Sequence, residues 1–191
     1  MATLTTITGD GNAGTGTRDW TTQAATDVDE GISAADGSYA TSVPAKDITQ
    51  ETSFALDNVD SDLETVDTLS WQVRYGISGM DDDTYHLDMA IYSGATLLAA
   101  ETSGGTWTRI DSLTADQAVA NSSVTGFNYV NTTATKTQWD AAEVKFRCIN
   151  VGNKAGDNAT LSLDTFEFTG TYTAAVTNTV MPALIRIAGG I

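Results

Sequence analysis

The chain has one cysteine and one histidine in 191 residues, and only nine lysines and arginines against 25 aspartates and glutamates. A single cysteine, Cys148, excludes an intrachain disulfide, so stability must come from packing or from partners, and the residue reads as a small buried hydrophobe. A single imidazole, His86, excludes metal sites built on several histidines. It also leaves any Ser-His or Cys-His pair without support, because the residue falls on the polar face of an expected strand. The formal charge of −16 repels phosphate backbones and anionic bilayers, so neither direct nucleic-acid binding nor membrane association is expected. The acids are scattered, with no run longer than Asp81–Asp83, and read as a solvated surface; the same excess also suits a high-salt setting. No stretch approaches the ~18 apolar residues of a membrane span, and Met1–Gly16 has neither a basic start nor an apolar run, so no signal peptide is expected.

What the chain does have is alternation. Leu69, Trp71, Val73, Tyr75 and Ile77 occupy every second position of 65–77, with Ser70, Gln72 and Arg74 between them, which predicts a strand with one core face and one wet face. Tyr85, Leu87, Met89 and Ile91 repeat the pattern. The turn-prone Ser78–Asp83 between these runs predicts that they form a hairpin. Further strands are expected at 53–59, 96–101, 124–130, 143–151 and 161–172. In the last of these the apolar parity changes between Leu163 and Phe166, which predicts a β-bulge near Asp164 or Thr165. One short helical turn is expected at 137–142, capped by Thr137. The reading is an all-β, jelly-roll-like antiparallel β-sandwich spanning 18–173. An extended N-terminal arm at 1–17 carries Leu4 and Ile7 as its apolar anchors. Residues 174–191 form either a C-terminal docking arm or a last strand, with Met181, Leu184, Ile185 and Ile187 as the apolar positions.

Candidate chemistry is sparse. Gly9, Gly11 and Gly14 match a phosphate-loop spacing, but no helical pattern follows them, so the match is read as accidental. Asp60, Asp62 and Glu64 alternate in a loop as calcium ligands do. Thr65 stands where such a loop needs glycine, and Trp71 where it needs its last acid, so a solvated loop is the expectation. Trp107 and Trp139 flank loops and are candidates for stacking on sugars, whereas Trp71 reads as core. No catalytic residues and no cofactor are expected.

Two segments carry a likeness. One is Asp19, Trp20, Thr21 and Thr22, then Val28, Asp29 and Glu30, then Asp36, Gly37, Ser38, Tyr39, Ala40 and Thr41. The other is Thr137, Gln138, Trp139, Asp140, Ala141, Ala142, Glu143 and Val144. Together they resemble the opening and the penultimate turn of a group of tailed-bacteriophage virion proteins. The resemblance implies a β-sandwich in the particle as a decoration, minor head, adaptor-region or tail-associated protein. It would be held as a dimer or trimer and partnered by the major capsid or other virion proteins. In this setting Trp20 and Tyr39 would bury their rings near the sandwich rim, and Asp36 and Gly37 would make the turn that leads into the sheet.

Overall fold

The computed structural model describes residues 1–152 and 158–176. In chain order the strands are β1 (Ala2–Thr3), β2 (Gly9–Ala13), β3 (Ala40–Ser42), β4 (Thr49–Leu56), β5 (Leu63–Ser78), β6 (Tyr85–Ser93), β7 (Thr96–Ala100), β8 (Thr108–Leu113), β9 (Gln117–Asn121), β10 (Thr125–Gly126) and β11 (Tyr129–Val130). A single α-helical turn, α1 (Lys136–Asp140), precedes β12 (Glu143–Asn150) and β13 (Thr160–Ala174). All pairings among the described residues are antiparallel, and they make two sheets. The first runs β1-β13-β5-β10, with β3 on β13 and β9 on β5; the second runs β11-β7-β6-β12-β4-β2, with β8 on β6. The protein is an all-β sandwich.

The alternating residues of β5 and β6 are buried as expected, but the two strands do not form a hairpin. β5 belongs to the first sheet and β6 to the second, so the largely exposed Gly79–Asp83 turn passes from one sheet to the other instead of closing a ladder. A turn sequence specifies chain reversal; which sheet receives the next strand depends on where apolar area is still uncovered. The expected strand at 124–130 is likewise split, β10 pairing with β5 and β11 with β7, in different sheets. The hairpin that does form joins β6 to β7 through Gly94, whose φ of +57° suits a residue without Cβ.

The core is aromatic where the sheets meet. Phe166 of β13 packs on Phe54 of β4 and Phe146 of β12, with ring centroids 6.1 and 5.4 Å apart, so one ring from the first sheet locks into two from the second. Tyr75 ties the sheets at the rim by donating its hydroxyl to Asp111 at 2.6 Å. Burial pushes the Tyr75 hydroxyl pKa well up, with Asp111 as the next cause.

The bulge in β13 forms where the parity change placed it. Leu163 pairs with Tyr75 and Thr165 with Arg74, leaving Asp164 without a place in the ladder while Leu161, Leu163, Phe166 and Phe168 all remain in the core. The short helix also forms, but its cap is Thr135. The Thr135 hydroxyl accepts the Gln138 backbone N–H, and the Gln138 side chain accepts the Thr135 N–H at 2.9 Å. The capping box therefore begins two residues earlier than the expected Thr137.

The N-terminal segment is not a free arm. β1 pairs with the end of β13, Ile7 bridges to Phe168, and β2 pairs with β4, so residues 2–13 touch the edges of both sheets. Leu4 and Ile7 are 4 and 3% exposed and belong to the core. They are structural anchors of this chain, which corrects their expected role as assembly contacts. A segment poor in apolar residues orders here because its backbone completes ladders already present, and two buried side chains suffice to hold it. Gly9 and Gly11 lie in β2, and a Cβ on Gly14 would run into Ser53, so the glycine spacing serves close packing and no phosphate loop exists there.

Candidate functional site

The expected site residues do not converge. Trp139 is 1% exposed, turned inward by α1, and its indole N–H is buried without a hydrogen-bond partner among the described residues. It is therefore a core residue and offers no stacking face, because a helix one turn long has only its apolar side to anchor it. Trp107 sits immediately before β8, partly buried, and the guanidinium of Arg147 lies over its ring at 4.7 Å from the centroid. Of the two candidate stacking residues, Trp139 is thus enclosed in the core and Trp107 already carries a guanidinium over its ring. Tyr39 is 37% exposed, so of the two rings expected to be buried near the rim only Trp20 is, donating its indole N–H to the Gln50 carbonyl at 3.2 Å. Gly37 does supply the expected turn, with φ of +83° and Asp36 accepting the Ser38 N–H at 2.7 Å.

Two of the three acids with calcium-like spacing, Asp60 and Asp62, are engaged in hydrogen bonds within the chain, and Glu64 lies exposed in β5. Asp60 accepts the backbone N–H and hydroxyl of Thr5 at 2.9 and 2.7 Å, and Asp62 accepts the Tyr172 hydroxyl at 2.7 Å. These carboxylates fasten the N-terminal segment and the end of β13 to the loop before β5. Met181, Leu184, Ile185 and Ile187 lie outside the described residues.

Two charged clusters were not foreseen. On the outward side of the second sheet, Glu51, Arg147, Asp88 and Arg109 are ladder partners across β4, β12, β6 and β8. The buried Asp88 carboxylate accepts from Arg109 Nε on one oxygen and from Arg147 Nε at 2.8 Å on the other. Lys145 stacks on Tyr92 at 4.6 Å from the ring centroid. This face therefore gathers three of the nine cations of an acidic chain. His86 is at its margin. Burial, with Arg109 next, holds its imidazole pKa below the ordinary range. Ser112, opposite His86 in the ladder, has its hydroxyl engaged by Arg109 at 3.0 Å, so the pair is arranged for ion pairing rather than nucleophilic attack.

The second cluster is anionic. Glu30, Asp36 and Asp164 each bring a carboxylate oxygen within 4.8 Å of the other two. Arg74, on β5, donates its Nε to Asp164 at 2.7 Å and its Nη1 to Asn121 at 3.2 Å. The Thr165 hydroxyl donates to the Glu30 carbonyl, and the Ile32 N–H donates to Glu167 at 3.2 Å. Segment 30–36 is thereby fastened to β13 between its pairing with β3 and its bridge to Ile7. Glu30 and Asp36 are remote from Asp164 in sequence, and only the bulge, itself legible, marks the place.

No protein-family model matches this chain, and no curated protein matches it. Among solved structures it overlaps the VP2 subviral particle of infectious bursal disease virus, with 12% identity, a TM-score of 0.21, and coverage of 72% of this chain and 37% of that one. The chain thus spans little more than a third of that protein, and an overlap of this size decides neither fold nor role.

Proposed function

We propose that this chain is a structural virion protein of a tailed phage, a capsid decoration or minor head protein, with a neck or tail position as the alternative. The reading rests on the resemblance of segments 19–41 and 137–144. It is supported by a division of labour along the chain. Residues from Ala2 to Ala174 close on themselves, with both N-terminal anchors consumed in the core. The apolar Met181, Leu184, Ile185 and Ile187 come after that closed body, beyond Val176, which is 82% exposed. That last observation carries the proposal: attachment, shared at first between two arms, falls to the C-terminal segment. One short apolar peptide binds weakly alone, but many symmetry-related copies on a lattice turn weak contacts into firm attachment. The clustered ion pairs and rings brace the sheets, as befits a body that bears load.

The test compares the full chain with a form ending at Val176. Both should fold alike by circular dichroism and melting, and only the full chain should co-sediment with particles lacking it. Equal loading of the two forms would remove the segment from the mechanism.

A further inference from the structure

We propose that Glu30, Asp36 and Asp164 form a calcium site that pins segment 30–36 to the bulge of β13. Asp164 is the residue the bulge leaves unpaired in the ladder, and it is fully buried. Arg74 satisfies its Oδ2 at 2.7 Å, while its Oδ1 is buried with no hydrogen-bond partner among the described residues. A buried carboxylate oxygen without a donor is strongly disfavoured, and in native proteins such an atom signals a bound ion or water. The Glu30 and Asp36 carboxylates each bring an oxygen within 4.8 Å of a carboxylate oxygen of Asp164 and of each other. Two oxygens sharing a calcium at roughly 2.4 Å can be no more than about 4.8 Å apart, and each pair of the three lies within that limit.

The remaining chemistry agrees. Asp36 Oδ1 accepts the Ser38 N–H and Glu30 Oε1 accepts the Asp36 N–H at 3.3 Å, which leaves each carboxylate a second oxygen to offer. Three carboxylates against one guanidinium leave an excess of negative charge that a divalent cation would neutralise. All the donors are hard oxygens from two distant segments. That suits the variable geometry of calcium better than the strict octahedron of magnesium.

Calorimetric titration of the chelator-stripped full chain with calcium chloride at fixed ionic strength tests this. A single ion should bind, and the melting temperature should rise in calcium. Glu30→Gln and Asp36→Asn should each weaken binding by roughly tenfold or more, and Asp36→Asn, at an exposed position, should keep the fold. Asp60→Asn, in the other acidic loop, should bind as the unaltered chain does. Absence of a saturable heat, undiminished binding in Asp36→Asn, or preference for magnesium would each overturn the site. The result is independent of the virion proposal, since particle attachment through residues 177–191 can fail while calcium still binds.

Discussion

Trp139 shows how a residue suited to one role is used for another. Its ring is in the core while its N–H lacks a partner, so the side chain contributes through volume and pays a desolvation cost for its nitrogen. Trp139→Phe should therefore cost less than about 2 kcal/mol, and Trp139→Ala about 3–5 kcal/mol, in urea unfolding. A ring displayed for sugar binding would show almost no effect in either variant. His86 supplies a pH dependence whose sign is set by burial. Its folded pKa lies below its unfolded value, so as pH falls through about 6.5 the unfolded chain takes up a proton that the folded chain refuses. Stability should decline between that value and the lower folded pKa, above the range where most carboxylates titrate, and His86→Gln should flatten this part of the profile. A profile unchanged by the substitution would show that the imidazole titrates freely. At this scale the buried Cys148 and Trp71 were legible from type and periodicity. Trp139 was not, because a tryptophan beside a loop reads as exposed until the helix that turns it inward is placed. The Glu30–Asp36–Asp164 group was illegible because its members meet only through folding.

Among the elements, the strands were legible wherever one face is apolar, and so was the bulge, since inserting one residue is the cheapest way to keep both Leu163 and Phe166 inward. Partner choice was not. The β5–β6 turn and the 124–130 stretch were read as continuous within one sheet, whereas the chain uses both to cross between sheets. β1 and β2 were missed for a related reason: a Thr- and Gly-rich segment has no periodicity, and its order comes from edges that distant strands leave open. This reversal has a measurable consequence. Deleting residues 1–8 should remove Leu4 and Ile7 from the core and expose the edge of β13, lowering unfolding free energy by about 3–5 kcal/mol or more. A free arm could be removed without moving the denaturation midpoint.

For the whole molecule, two sheets are closed over an aromatic core, with an N-terminal segment stitched to both; the proposed attachment chemistry is assigned to the sequence beyond Val176. β1 pairs with the end of β13, so the first and last described strands are neighbours in one sheet. Fold class was legible here from alternation alone. The proposed role draws instead on the two resembling segments and on the apolar residues of the sequence after Val176. The most direct measurement is an image, at subunit resolution, of particles purified from the host that makes this protein, combined with its copy number per particle. The account predicts symmetry-related copies of this sandwich on the particle, each joined to its neighbour through residues 177–191. Particles that lack the protein, or hold it through the Leu4–Ile7 edge of the sandwich, would contradict it.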